Sequence, residues 1–563
     1  MEERIWHKNY DIGVPTALKY PQIPVFKLLE NSALSYPQRD ALIFLGKRIN
    51  YSQLLNLANK FASSLVKLGI KKGDRIALFI PNTPHMIIAF YGALKAGAIV
   101  VNTNPLYTER ELEYQLKDSG ADSIVTLDLK LTISKVKAVK DKIPLRHVIV
   151  GSIGDFLPFP KNMLYPFLKR GELDAVPYSG SYHRFSELIK NASNNPLPKN
   201  VDPDDTAVLQ YTGGTTGISK GAELTHKNLV TNAFQIRRWG EDVFIDGEET
   251  MLTVLPCFHI YAMTVCMNLG MMIGATLLLL PRFNLKEVLQ TIKKYRPTIF
   301  PGVPTIYTAI VNHPEVKNYG VGSIKLCLCG GAPLPIDVVE RFENLTGAKM
   351  LEAYGLSEAS PATHANPFIG RREIGTVGLP IPDTDAKIVD LESGEKELLV
   401  GEPGELIVKG PQVMKGYWNR SDETSLTLRN GWLFTGDIAT MEENGYFSIV
   451  DRKKEMIISG GYNVYPREVE EVLYEHPKVL EAAVIGVPDS YKGEYVKAFV
   501  IVKSGEEVIE SEIILFCKER LAPLKVPKVV EFRTSLPKST VGKVLRRALR
   551  EEELKKAGNP HLK

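Results

Sequence analysis

Helical periodicity and short apolar runs follow one another through the first part of the chain. Residues 51–68 repeat apolar side chains at helical spacing, Arg75-Ile76-Ala77-Leu78-Phe79-Ile80 is a short apolar run, residues 86–96 return to the helical pattern, and Ala98-Ile99-Val100-Val101 is a second run. Short runs without polar alternation suit strands buried on both faces, and parallel pairing of such strands needs a crossover helix between them. The alternation therefore predicts an α/β fold of layered, largely parallel sheets. At 563 residues the chain exceeds one hydrophobic core, so three to four folding units are expected, fused into one large domain plus a smaller one.

The texture changes near Gly401, where Gly, Pro and turns such as Glu443-Asn444-Gly445 predict a small antiparallel sheet or barrel. After the charged run Asp451-Arg452-Lys453-Lys454-Glu455 it changes again, to a compact α+β pattern. The expected layout is an N-terminal domain over 1–450, with a β-rich subdomain at about 370–450, a junction at 451–455 and a C-terminal domain over 456–563. Residues 151–198 are rich in Pro, Gly, Ser and Asn and read as an irregular insertion.

The segment that says most about chemistry is Tyr211-Thr212-Gly213-Gly214-Thr215-Thr216-Gly217-Ile218-Ser219-Lys220-Gly221, directly after Ala207-Val208-Leu209. Glycines let backbone N–H groups approach an anion, hydroxyls add donors and can meet a metal, and lysine adds charge. The G-x-x-x-x-G-K-[ST] pattern of the Walker loop is absent, because Ser219 precedes Lys220 and Gly221 follows it. The loop belongs to another phosphate chemistry. A formal charge of +4 is too small to argue for nucleic acid, and it permits anionic substrates.

The five cysteines, Cys257, Cys266, Cys327, Cys329 and Cys517, show neither C-x-x-C nor zinc spacing. Cys327 and Cys329 alternate with Leu326 and Leu328, which predicts a buried strand, and a reducing cytoplasm fits best. The start Met1-Glu2-Glu3-Arg4 lacks an apolar signal core. Residues 262–280 carry no charge, but Asn268, Gly270, Gly274 and the closing Pro281 favour a buried helix followed by a strand over a membrane span.

Six further segments carry residue types expected around a nucleotide: Pro256-Cys257-Phe258-His259, Gly330-Gly331-Ala332-Pro333-Leu334, Tyr354-Gly355-Leu356-Ser357-Glu358, Thr435-Gly436-Asp437, Asp451-Arg452-Lys453-Lys454 and Pro537-Lys538-Ser539-Thr540-Val541-Gly542-Lys543. In this order, and together with the loop, they resemble the signature motifs of the acyl-adenylate-forming (AMP-binding) superfamily of acyl-CoA synthetases, adenylation domains and luciferases. The runs Val408-Lys409-Gly410-Pro411-Gln412-Val413-Met414-Lys415-Gly416-Tyr417-Trp418 and Gly461-Tyr462-Asn463-Val464-Tyr465-Pro466 look most like medium- and long-chain fatty acyl-CoA ligases.

The resemblance implies a large N-terminal domain of layered α/β subdomains plus a β-rich subdomain, followed by a small mobile α+β C-terminal domain. It implies two reactions: a carboxylate attacks the α-phosphate of ATP to give acyl-AMP and pyrophosphate, and the thiol of CoA then displaces AMP. Charge builds up on the phosphates, so preorganised donors and cations are the expected devices. By resemblance, Thr212, Gly213, Gly214, Thr215, Thr216, Gly217 and Lys220 hold the β- and γ-phosphates, and Glu358 with Thr215 holds Mg²⁺. Tyr354 stacks on adenine, while Gly331, Ala332, Pro333, Glu352, Ala353, Gly355 and Ser357 line the nucleotide pocket. Many relatives carry Gly at Ala353 and Thr at Ser357; serine keeps the hydroxyl. Asp437 accepts from the ribose hydroxyls and Arg452 donates to the sugar and phosphate region. His259 lies near the acyl and α-phosphate junction. Lys543 supplies the charge for adenylation, Lys454 is the hinge, and Gly460, Gly461 and Tyr462 face the pantetheine of CoA.

The expected function is thus an AMP-forming fatty acyl-CoA synthetase using ATP, Mg²⁺ and CoA. An adenylating enzyme that hands another carboxylic acid to a carrier protein is the alternative, although the chain holds no carrier-like Asp-Ser-Leu segment. Intact Lys543, Glu358, Asp437 and Arg452 argue against a non-catalytic nucleotide-binding regulator. Chain length of the acid and oligomeric state, a homodimer included, stay open. Aromatic and apolar residues at 155–170, edged by Lys169 and Arg170, read either as a loop packed on its own domain or as a peripheral contact with the inner face of the membrane.

Overall fold

The computed structural model describes residues 4–193, 200–212, 219–332, 334–459, 462–489, 493–539 and 542–556. The chain forms two compact units, one of residues up to Asp385 together with Val408–Leu433, the other of Ala386–Ile407 and residues from Phe434 onward. The expected junction at 451–455 falls inside the second unit.

Two large sheets build the first unit among the described residues. In one, Lys349–Gly355, Leu326–Cys329, Ile299–Gly302, Thr250–Thr253, Thr276–Leu279 and Asp40–Phe44 run parallel. In the other, Thr206–Thr212, Ile99–Asn102, Arg75–Leu78, Ser123–Leu127, His147–Gly151 and Tyr182–Arg184 do so. The sequence-expected strands and helices near residues 51–101 all form: Tyr51–Lys67 and Pro84–Lys95 are helices, and Arg75–Leu78 and Ile99–Asn102 pair directly. Asn50 starts the first of these helices by accepting from the Gln53 N–H (2.8 Å), and the Gln53 side chain accepts from the Asn50 N–H in return. Gly92 lets the two helices meet, since a Cβ there would lie 2.8 Å from Phe61 and 3.0 Å from the Ala58 carbonyl oxygen.

The charge-free stretch is helix and strand, not a span. A π-helical turn over Met263–Asn268 leads into Leu269–Met272 and then the buried strand Thr276–Leu279. Among the described residues no helix is long and apolar enough to cross a membrane. All five cysteines are free and buried, and Leu326–Cys329 is a strand buried along its length. Residues 151–198 hold more structure than their composition suggests: Ile153–Phe156 is a 3-10 turn, Lys161–Leu168 a short helix, Tyr182–Arg184 an edge strand and Phe185–Lys190 a helix. The reason is tertiary. Phe185 is fully buried, stacked on Phe61 with ring centroids 4.9 Å apart, so a few anchors order a segment that lacks periodicity of its own.

The strands Asp385–Val389, Gly404–Lys409, Trp432–Met441 and Phe447–Arg452, most of whose residues belong to the second unit, lie side by side, the last two as an antiparallel hairpin around the predicted Glu443-Asn444-Gly445 turn. A second sheet joins Tyr462–Val464, Ile457–Ser459, Gly493–Val502, Val479–Asp489 and Val529–Phe532. Helices Pro466–Glu475 and Glu510–Lys518 close its core around Val469, Leu473, Val484, Ala498 and Ile513.

Phe61→Ala removes a fully buried ring from between helix and helix. It should cost about 3–5 kcal/mol in the unfolding of the first unit, read as a lowered urea midpoint; a midpoint matching the parent protein would show that Phe61 is not a packing anchor.

Candidate functional site

Two paired strands flank the glycine-rich segment. Thr206–Thr212 pairs antiparallel with Lys220–Thr225, with Thr212 opposite Lys220, and Thr225 then caps the helix His226–Trp239. Gly213, Gly214, Thr215, Thr216 and Gly217 lie outside the described residues. The base of the loop is fastened from several sides: the Ser219 hydroxyl donates to the Thr212 carbonyl (2.7 Å) and the Tyr114 hydroxyl to the Ser219 carbonyl (2.9 Å). Asp118 accepts from both the Tyr211 hydroxyl and Arg420, each at 2.7 Å. Lys220 is mostly buried, with its ammonium 5.2 Å from the Tyr417 ring centroid and 3.8 Å from Glu423 Oε1.

Other candidates gather at the carboxyl ends of parallel strands, where chain reversals leave room for a ligand. Gly330, Gly331 and Ala332 follow Leu326–Cys329, and Glu352, Ala353, Tyr354 and Gly355 end the neighbouring strand, Cys329 standing opposite Glu352. A Cβ on Gly355 would lie 2.1 Å from the Pro361 carbonyl oxygen, so only glycine fits that approach. Glu352 Oε2 accepts from the Gly375 N–H (3.1 Å), and Tyr354 is half-buried with its ring edge-on to His364. Pro333 lies outside the described residues. Ser357 and Glu358 open a 3-10 turn, and Glu358 Oε1 accepts from the Tyr417 hydroxyl at 2.8 Å. Burial, followed by the Glu358 charge, pushes the Tyr417 phenol far up, so it remains a donor.

His259 caps the short helix Ile260–Ala262, its Nδ1 accepting from the Tyr261 N–H at 3.3 Å. Burial pushes its imidazole down to about 4, so it is neutral at physiological pH and can offer hydrogen bonds but no charge. Its turn is tied to the rest of the site: Gln210 donates to the Phe258 carbonyl (3.1 Å), and the Tyr261 hydroxyl to the Leu328 carbonyl (2.6 Å) beside Gly330.

The second unit holds a separate group. Asp437 and Arg452 face one another across the hairpin, with Arg452 Nε 3.0 Å from the buried Asp437 carboxylate. Lys453 reaches Glu405 at 2.8 Å, and Lys454 sits in the turn that follows. Loss of solvent and the Arg452 charge hold the Lys454 amine below the ordinary lysine value. Lys543 lies in a tight turn, its carbonyl accepting from the Ser539 N–H (2.7 Å) and its own N–H donating to the Ser539 hydroxyl (3.1 Å). Burial and then Arg452 push its amine down to about 8, against the opposing pull of Asp437 and Glu455. Asp437, Arg452, Lys454 and Lys543 thus share one electrostatic neighbourhood. Tyr462 is exposed on Tyr462–Val464, and Gly460 and Gly461 lie outside the described residues.

Sequence reasoning passed over several residues that hold these groups. Arg546 binds Glu470 through Nε (3.0 Å) and Nη2 (2.5 Å), contacts Glu455 and stands 3.8 Å from Asp451, so it joins the turn after Arg452 to the chain just past Lys543. Removing one partner of such a buried ion cluster typically costs about 3–5 kcal/mol. Its sequence signal was a basic helix face, which usually faces solvent. Tyr417 stood inside a run noted only for its family likeness, and Asp118, Arg420 and Glu423 carry no local pattern at all.

Among the described residues no group of three or more His, Cys, Asp or Glu is placed to hold a metal ion. The Glu358 carboxylate and the Lys220 ammonium both meet Tyr417, the first at its hydroxyl and the second at its ring.

Between about pH 8 and the ordinary lysine value of 10.5 the folded chain binds fewer protons at Lys543 than the unfolded chain. The stability cost of charging this amine is therefore full below that window and vanishes as pH rises through it. Arg452→Gln removes a like charge and should move the Lys543 titration upward, followed by pH-dependent amine acylation and peptide mass mapping. An unmoved midpoint would separate Lys543 from Arg452.

The profile of the AMP-binding enzyme family matches residues 29–418, and that of the AMP-binding enzyme C-terminal domain matches 468–543. A long-chain-fatty-acid–CoA ligase of Bacillus subtilis (strain 168) is 48% identical over 567 aligned residues, covering 100% of both chains. Among solved structures, ATP-bound MatB from Rhodopseudomonas palustris superposes with TM-score 0.82 at 30% identity, over 94% of this chain and 99% of that one. The anthranilate CoA ligase AuaEII in complex with anthranoyl-AMP does so with TM-score 0.85 at 26% identity, over 96% and 99%. With both profiles matched in order and a relative alike from end to end, the chain belongs to the AMP-binding enzyme family.

Proposed function

We propose that this chain is an ATP-dependent acid–thiol ligase that activates a medium- to long-chain fatty acid as acyl-AMP, releases pyrophosphate and passes the acyl group to CoA. The observation that carries the reading is the full-length 48% identity to a long-chain-fatty-acid–CoA ligase. The gathering of Asp437, Arg452 and Lys543 in one neighbourhood supports it.

In the first reaction an oxygen of the fatty acid carboxylate forms a bond to the α-phosphorus, and the bond from that phosphorus to pyrophosphate breaks. Lys543 serves as a point charge against the carboxylate and α-phosphate, and as a cation it strengthens where charge concentrates. The Thr212–Lys220 hairpin end holds the departing pyrophosphate, with Lys220 kept within reach by Tyr417 and Glu423. Tyr354 stacks on adenine, and Gly331, Ala332, Ala353 and Gly355 let backbone come close to the nucleotide. Asp437 accepts from ribose hydroxyls while Arg452 orients it, a role suited to an acceptor-only carboxylate. Neutral His259 hydrogen-bonds at the acyl and phosphate junction.

A small donor set around Glu358 fits Mg²⁺, which keeps several waters and is usually bound by one or two protein oxygens plus substrate phosphates. Glu358 would hold it with Thr215, and the ion would neutralise charge on the β- and γ-phosphates. In the second reaction the CoA thiol gives up its proton to solvent, its sulfur bonds to the acyl carbon, and the bond from that carbon to the AMP oxygen breaks, releasing AMP. Lys454 is the hinge about which Gly460, Gly461 and Tyr462 come to face the pantetheine.

Location at the inner face of the membrane belongs to the same reading. The helix Lys161–Leu168 buries Tyr165 but exposes Met163, Leu164, Phe167 and Leu168, with Phe159 78% exposed just before it. Exposed Lys161, Lys169 and Arg170 flank these side chains, an arrangement suited to an anionic lipid surface.

With ATP, pyrophosphate and a C12–C18 acid, the chain should catalyse exchange of pyrophosphate into ATP and release AMP only when CoA is added. Lys543→Ala should lower exchange about 10²- to 10³-fold while thioester formation from supplied acyl-AMP persists. Activity with aromatic acids alone, or AMP release without CoA, would overturn the fatty acyl-CoA assignment. For the membrane contact, Phe159→Ser with Phe167→Ser should weaken flotation with phosphatidylglycerol vesicles about tenfold, or roughly 1.4 kcal/mol. Flotation equal to that of the parent protein would remove this helix from the contact.

A further inference from the structure

The segment 414–418 makes a bracket between two candidate elements of the first unit. Its backbone is fastened to both: the Met414 N–H donates to the Glu358 carbonyl (2.7 Å), the Lys415 N–H to the Glu223 carbonyl (3.0 Å) and the Trp418 N–H to the Gly221 carbonyl (2.8 Å). Gly416–Tyr417 pairs as a strand with Glu223 and Ala222, the latter lying two residues on from Lys220. The Tyr417 side chain repeats the connection. Its hydroxyl donates to Glu358 Oε1 at 2.8 Å, and its ring lies 5.2 Å from the Lys220 ammonium. The Tyr417 N–H donates to the Thr424 hydroxyl at 2.9 Å, so backbone and side chain of this residue are both anchored.

We propose that Tyr417 is a positioning residue that sets the Glu358 carboxylate for a divalent cation and couples it to the phosphate-gripping lysine. This rests on the assignment of Glu358 to the cation in the reading above. A carboxylate on a short turn can rotate about its last torsions, and a neutral donor held from a separate strand fixes one of its oxygens and leaves the other to face the ligand. Such outer partners commonly change metal affinity by about 10- to 100-fold when removed. The ring does a second task. An aromatic face attracts an ammonium without neutralising it, so Lys220 is held near the hairpin end with its charge intact for a phosphate. Glu423, 3.8 Å away, is the competing partner that an incoming triphosphate would displace.

The test is calorimetric binding of ATP to the full chain without fatty acid, in excess Mg²⁺ and again in EDTA, so that turnover plays no part. Tyr417→Phe keeps the ring and loses the hydroxyl. It should weaken ATP binding in Mg²⁺ about tenfold while leaving affinity in EDTA unchanged, and Tyr417→Leu should weaken both. If Tyr417→Phe loses equally in Mg²⁺ and EDTA, the residue is merely structural and the inference is overturned; it is equally overturned if Mg²⁺-dependent affinity does not change. Glu358→Gln separates the two levels. Should Glu358→Gln lose the Mg²⁺ enhancement while Tyr417→Phe keeps it, the positioning role alone fails. Should Glu358→Gln keep the enhancement, the cation assignment fails and the inference falls with it.

Discussion

Parallel pairing of short, fully buried strands is the constraint on which the first unit rests. Leu326–Cys329 is apolar along its whole length, so it can exist only between covering layers, and its parallel neighbours bring their carboxyl ends to the same edge. That edge is where Gly330–Ala332 and Glu352–Gly355 sit beside each other, and the Tyr261 hydroxyl bound to the Leu328 carbonyl ties the His259 turn to it. The direction of the strands alone leaves room for a ligand at this edge, before any side chain is considered.

Electrostatics divides labour between the groups. His259 is kept neutral by burial, whereas the loop lysine and Glu358, which both meet Tyr417, are charged groups of the same unit. In the second unit burial and then the Arg452 charge lower the amines of Lys543 and Lys454, against the pull of Asp437 and Glu455. A lysine whose amine sits near 8 is poorly solvated, and an arriving anion restores what the protein withholds. Arg546 holds this arrangement from behind. Buried against Glu470 and Glu455, it keeps the turn after Arg452 and the turn of Lys543 at a set separation. Exposed surface ion pairs elsewhere on the chain contribute little by comparison.

Local pattern and tertiary anchoring account for what could and could not be read beforehand. The capped helix Tyr51–Lys67, the strands around it and the hairpin at Glu443-Asn444-Gly445 carry their periodicity or turn chemistry in adjacent residues, so they were legible. The turn and helices between Ile153 and Lys190 were not, because their anchors are distant in sequence: Phe156 packs on His85, and Phe185 on Phe61 more than a hundred positions away. The site divides in the same way. Glycines, hydroxyls and lysines in short motifs mark themselves. Tyr417, Asp118, Arg420 and Arg546 do not, since each matters only through a partner distant in sequence.

The amino-acid sequence by itself determined the layered α/β architecture, the phosphate-suited loop that is not a Walker loop, and the order of motifs that marks the family. These follow from spacing and residue type, which adjacent positions carry in full. Tertiary structure alone decided that Thr212 and Lys220 stand paired on either side of the loop, that His259 is neutral, that Lys543 is a weakened base beside Arg452, and that Tyr417 bridges Glu358 and Lys220. Desolvation and charge–charge coupling depend on distance in space, and distances in space are set only when the sheets have closed.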